Sequence, residues 1–219
     1  AADLLRIFEL QHANQWNVKA SSAEVRKAKL AGLKAAVEAH ADAIVAAVLE
    51  DTRKPEGEIR VTEVMNVTAN IQRNIDNLDA WMAPTEVTPS LNPADRAQIR
   101  YEARGVCLIL GPWNFPLGLA LGPLAAAVAA GNTAVVKLTD LCPATARIAA
   151  IIVREVFDEN EVALFEGDEK MRCTRCAKAA PLSPGAMRTG SMNHTSTTMA
   201  QEVMMRKRCA WKDSCREFQ

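Results

Sequence analysis

Leu30, Leu33, Val37, Ile44 and Val48 recur at three-, four- and seven-residue steps, so this segment presents one apolar face for about seven helical turns. Ser21 or Ser22 opens that helix, with Glu24 three residues after Ser21 completing a capping box. A second helix is predicted from Pro55, whose missing N–H costs nothing in a first turn, through Val64, Val67, Ile71, Ile75, Leu78 and Met82. Pro84, Pro89 and Pro93 end the helical signal, and the stretch to Ala97 reads as a linker or turn region.

From Gln98 the period changes. Gln98 to Tyr101 is a candidate strand, Glu102 to Gly105 a turn, and Val106 to Leu110 a strand expected to be buried on both faces. After a loop from Gly111 to Pro116, Leu117 to Ala130 reads as a helix closed by Gly131-Asn132 in a left-handed cap. Thr133 to Leu138 is another strand, Pro143 opens a helix through Ile148, Ile152 and Val156, and Val162 to Phe165 is a last strand. Alternating strands and helices are the grammar of an α/β fold with a parallel sheet. Ligands of such sheets sit at the carboxyl ends of the strands, which directs attention to Gly111–Pro116 and Lys137–Pro143. Neither carries a G-x-G-x-x-G phosphate loop.

Composition changes the picture in one respect. The 219 residues are 49% hydrophobic, enough for a sizeable core, and balance 26 basic against 26 acidic residues, which points to neither nucleic acid nor an anionic membrane as partner. Residues 169–219, however, carry 10 basic and 4 acidic residues, six of the eight methionines and four of the six cysteines. With so few large aliphatic residues this tail is expected to be disordered. The two cysteines before it, Cys107 and Cys142, suit a reduced cytoplasmic protein. The uncharged run from Val106 to Val136 imitates a membrane span, but prolines and asparagines interrupt it, and its helical part of 14 residues is shorter than the ~20 a bilayer needs.

The loop Gly111-Pro112-Trp113-Asn114-Phe115-Pro116, then Gly122-Pro123, Ala129-Ala130-Gly131-Asn132 and a strand ending at Lys137 with an acid at Asp140, together resemble the aldehyde dehydrogenase superfamily. The resemblance runs from about Leu4 to Asp168 and is nearest to the branch acting on fatty and aromatic aldehydes. It implies an amino-terminal helical segment over 1–85, part of a Rossmann-like NAD(P)-binding domain over 86–168, and a non-family tail over 169–219. Lys137 and Asp140 would hold the adenosine ribose of NAD or NADP, through ammonium donors and a carboxylate acceptor. Pro112 and Trp113 would line the cofactor, Trp113 on its nicotinamide side, and Asn114 would aim its amide N–H at the substrate oxygen. Family members usually carry Glu where Asp140 stands and Pro where Leu138 stands, so the choice between NAD and NADP stays open.

In the family mechanism a Cys thiolate attacks the aldehyde, hydride passes to the nicotinamide, and a Glu-activated water hydrolyses the thioester. Both residues lie further along family chains than Asp168, and neither follows here in its motif; Thr189-Gly190-Ser191 lacks the strand and helix that a phosphate turn requires. The resemblance therefore implies a reading truncated or frameshifted after Asp168 and inactive alone, whose full-length form would be a homo-oligomer acting on an aldehyde.

Other readings compete residue by residue. Asn114 also fits a polar loop residue capping the next helix, and Lys137 a solvated charge. Cys107 reads as a small buried hydrophobe, and Cys142 is misplaced for the family nucleophile. Cys173-x-x-Cys176 with His194, Cys209 and Cys215 is a weak zinc pattern, and no metal is assigned. A different class of function is a non-catalytic protein whose helices pair with a full-length relative while the basic tail meets an acidic partner.

Overall fold

The computed structural model describes residues 2–88, 96–166 and 205–212, the last in backbone only. The chain opens with a helix the periodicity reading passed over, α1 (Ala2–Lys19). The expected seven-turn helix is two: α2 (Ala23–Ala39) and α3 (Ala41–Thr52) meet at His40, whose φ of −96° and ψ of 13° break the helical path. The predicted stripe nevertheless stays on one side, because Leu30, Leu33, Val37, Ile44 and Val48 are all buried. Ser22 is the N-cap, its hydroxyl accepting from the Val25 amide at 3.5 Å.

After Pro55 the second predicted helix runs as α4 (Glu56–Ile59), a π-helical segment (Arg60–Met65) and α5 (Asn66–Met82). The π segment inserts one wide turn into the helix, and Ile59, Glu63, Val64 and Val67 all end up buried around it. The expected linker contains a short strand, β1 (Thr85–Val87), antiparallel to β2 (Arg96–Ala103). On the other edge of β2 the backbone of β6 (Met205–Lys212) pairs antiparallel, so this piece of the tail forms a strand. The remaining tail residues, with Cys173, Cys176, His194, Cys215 and the Thr189–Ser191 turn, lie outside the described residues.

β3 (Val106–Gly111), α6 (Gly118–Ala129), β4 (Thr133–Leu138), α7 (Pro143–Val156) and β5 (Val162–Phe165) follow the predicted order, and the strands form a parallel sheet in the order β3-β4-β5. Pleating sends alternate side chains to opposite faces. Ile109, Ala134, Val136 and Leu138 join the main core with α2, α3, α5, α6 and α7, whereas Val135 and Ala163 meet Leu4 and Ile7 of α1. Gln11, fully buried, pins α1 by donating to the Ala134 carbonyl at 2.9 Å and the Glu159 carbonyl at 3.1 Å.

α1 covers only part of its face. Leu108 and Leu110 point to the same side as Val106 but lie past the helix and are 50% and 65% exposed, so β3 is not buried on both faces as expected. The Ala-Gly-Asn turn after α6 is a Schellman cap: Gly131 takes φ 80°, its amide donates to the Val128 carbonyl, and the Asn132 amide donates to that of Ala127. Asn132 Oδ1 then accepts from the Arg104 and Gly105 amides at 2.7 and 2.9 Å, which locks the start of β4 to the β2–β3 turn.

Candidate active site

β3 and β4 end side by side. Their register sets Leu110 opposite Lys137 and Gly111 opposite Leu138, so Pro112-Trp113-Asn114 leaves one strand where Lys137 closes the other. Trp113 is exposed, Pro112 and Asn114 are half-buried, Lys137 is half-buried and Asp140 is exposed. Asp140 accepts from the Thr139 hydroxyl at 3.4 Å, in a turn that the Leu141 amide closes on Thr139 Oγ1 at 3.3 Å. The structure thus brings all five predicted site residues to the carboxyl ends of two adjacent strands. An ammonium, a carboxylate and an exposed indole there suit a polyhydroxylated ligand that also carries a flat ring.

The loop is not free-standing, and the residues that hold it come from the amino-terminal helices. Lys54 donates from Nζ to the Asn114 carbonyl at 2.5 Å and stands 3.8 Å over the Phe115 ring. It is presented by Arg53, which ends α3 in the left-handed region with φ 57°. Glu63, from the π segment, accepts from the Gly118 amide at 2.6 Å and so caps α6. Gly118 permits this approach, because a Cβ there would stand 3.3 Å from Glu63 Oε2 and 3.4 Å from the Thr62 carbonyl. Asp51 caps α7 in the same manner, accepting from the Ala144 amide at 3.2 Å and from the Thr145 amide at 2.7 Å.

Electrostatics follow from this packing. Burial pushes the Glu63 carboxyl above its usual range, opposed by the Gly118 amide and by the Lys54 charge. Its other oxygen, Oε1, is buried without a hydrogen-bond partner. Cys142 is 2% exposed, with its sulfur 3.6 Å from the Trp113 carbonyl, and burial with the negative charges of Asp51 and Glu63 pushes its thiol up to about 11. Burial pushes Cys107 up to about 11 as well. Both cysteines therefore stay protonated near neutrality and neither is an activated nucleophile.

Lys54, Glu63 and Asp51 escaped the sequence reading. Glu63 left one trace: it stands four residues after Ile59 and four before Val67, a carboxylate on an otherwise apolar stripe. Lys54 and Asp51 left none, since a charge at a helix end is ordinary.

The aldehyde dehydrogenase family model matches residues 1–207. The chain is 46% identical over 166 residues to the putative aldehyde dehydrogenase AldX of Bacillus subtilis, covering 76% of this chain and 37% of that protein. It is 35% identical over 147 residues to aldehyde dehydrogenase family 3 member B1 of Rattus norvegicus, covering 67% of this chain and 31% of the rat protein. Among solved structures, the substrate-bound state of Staphylococcus aureus AldH superposes with a TM-score of 0.74 at 29% identity, covering 76% of this chain and 37% of that one. The chain thus spans about a third of the length of the relatives it matches. With its parallel sheet, its Pro-Trp-Asn-Phe-Pro loop and the family match over most of its length, the chain belongs to the aldehyde dehydrogenase family.

Proposed function

We propose that this chain supplies the amino-terminal part of an NAD(P)-dependent enzyme that oxidises a fatty or aromatic aldehyde to a carboxylic acid. The observation that carries this reading is the register of β3 and β4, which delivers Trp113 and Asn114 beside Lys137 and Asp140. The donor set fits a dinucleotide's ribose, with an ammonium donor and an exposed carboxylate acceptor at one strand end. The diphosphate is not held at the starts of α6 or α7, because Glu63 and Asp51 already take amides there and would repel a second anion. When bound, the nicotinamide supplies the hydride acceptor.

In this division of labour Lys137 and Asp140 bind the ribose, and Pro112 and Trp113 border the ring. The Asn114 side-chain amide donates to the substrate oxygen as negative charge collects there. A neutral donor fixed in advance stabilises such an oxyanion by roughly 3–4 kcal/mol. Neither Cys107 nor Cys142, whose thiols are pushed up to about 11, suits the attacking thiolate, and the residues after Asp168 do not carry the family's Cys and Glu motifs, so the 219 residues alone are proposed to give no turnover.

The test joins residues 1–166 to the carboxyl-terminal part of the B. subtilis relative, at the matching position, and follows NAD(P)H formation from aliphatic and aromatic aldehydes. Turnover by the joined enzyme and none by the 219-residue chain is the expected result. A correctly folded joined enzyme that binds NAD(P) but oxidises no aldehyde would overturn the reading.

A further inference from the structure

Asn114 sits on a loop that two charged side chains hold from below. Lys54 reaches across 60 residues of sequence to the Asn114 carbonyl at 2.5 Å, and Glu63 reaches across 55 to the Gly118 amide at 2.6 Å. These are contacts to backbone, so they fix the path of the loop, and hence the direction of the side chain it carries. We infer that Lys54 and Glu63 form a two-point clamp that positions the Asn114 loop, making both positioning residues for the oxyanion donor.

Three features favour a clamp over incidental packing. First, each contact is backed by a backbone device: Arg53 turns left-handed just before Lys54, and the π segment carries Glu63 to the buried face. Secondly, the Lys54 ammonium is over the Phe115 ring as well as on the Asn114 carbonyl, so it grips two consecutive loop residues. Thirdly, Glu63 is fully buried and leaves Oε1 without a partner, a cost that a merely space-filling leucine or methionine would avoid. The buried carboxylate meets the Gly118 amide, a first-turn α6 amide of the kind that has no intrahelical acceptor.

The inference rests on the proposed role of Asn114 for its catalytic meaning, but its test on the isolated chain does not. Peptide-resolved hydrogen exchange and iodoacetamide labelling of the 219-residue protein would be compared for Glu63→Ala, Glu63→Gln, Lys54→Met and Lys54→Arg. Exchange at the Gly118 amide should speed at least roughly tenfold in Glu63→Ala and return toward the parent in Glu63→Gln, whose side-chain oxygen still accepts. Lys54→Met keeps the stem over Phe115 but loses the donor; labelling of Cys142, which lies under the Trp113 carbonyl, should rise roughly tenfold, and Lys54→Arg should restore protection. The β4 amides should keep their protection throughout.

Unchanged Gly118 exchange and Cys142 labelling would overturn the clamp. Equal loosening of β4 would also overturn it, since the two residues would then serve general stability. In the joined enzyme, Lys54→Met should lower kcat with little change in KM for NAD(P); if that enzyme proves inactive from the outset, the functional reading fails while the clamp stands or falls on exchange and labelling.

Discussion

Asp51 Oδ2 accepts from both the amide and the hydroxyl of Thr145, each at 2.7 Å, across 94 residues of chain. Cys142, which precedes α7, makes no side-chain cap, so a carboxylate at the end of α3 does the work of a missing Ser or Asp. The start of a helix carries partial positive charge, and an anion there is stabilising.

Asp51→Ala should therefore lower stability by about 1–2 kcal/mol, with Asp51→Asn losing less because it keeps an acceptor. Urea unfolding would show this as a lower midpoint at unchanged slope. A midpoint equal to the parent's would mean that water caps α7 equally well.

The buried Glu63 gives a pH signature. Its carboxyl is raised in the fold, chiefly by burial, so the proton is held more tightly folded than unfolded. Its contribution to stability is then fully present below the unfolded value of 4.5 and is lost as pH rises through the folded value. Glu63→Gln removes the ionisation and keeps an acceptor for Gly118, so the variant should gain on the parent as pH rises from 4 toward 8. Urea midpoints measured across that range check the sign, and a difference that does not change with pH would contradict it.

Cys107 and Cys142 should resist alkylation in the folded chain. With thiols pushed up from 9.0 to about 11, their thiolate content at pH 8 falls roughly a hundredfold below that of a thiol at 9.0. Peptide-resolved mass spectrometry after iodoacetamide treatment would show slow labelling at pH 8 and fast labelling in denaturant. The same shift predicts that stability falls between pH 9 and about 11, because the unfolded thiols ionise first.

In the joined enzyme, Asn114→Ala should lower kcat by roughly a hundred- to a thousandfold with a smaller effect on binding, since its donor matters once negative charge forms. Lys137→Ala should act in the opposite sense, weakening NAD(P) more than it slows the bound enzyme. Steady-state kinetics with varied cofactor separate the two. Intact turnover in Asn114→Ala would remove the catalytic assignment.

Periodicity and turn chemistry alone were enough to locate the helical run between Pro55 and Met82, though not its π segment, and α6, α7, β3, β4 and β5 to within a few residues. Each of these elements carries its own local signal: Pro143 starts α7, Gly131 with Asn132 ends α6, and short aliphatic runs make the strands. The loop motif and the residues of β4 also pointed to the family, whose match runs over residues 1–207. Local signals failed where the determining partner is distant. The break at His40 is invisible in a stripe whose seven-residue step from Val37 to Ile44 suits one helix or two. Leu108 and Leu110 read as buried because their composition does, yet their exposure is set by how far α1 reaches across the sheet.

The site divides in the same way. Sequence determined which side chains stand at the ends of β3 and β4, since a strand's last residue and the loop after it are neighbours in the chain. Only the tertiary structure decided what holds them. Asp51, Lys54 and Glu63 lie 55 to 94 residues from the backbone groups they bind, and side-chain-to-backbone contacts leave no pattern in the partner's sequence because every residue offers the same carbonyl and every residue but proline the same N–H.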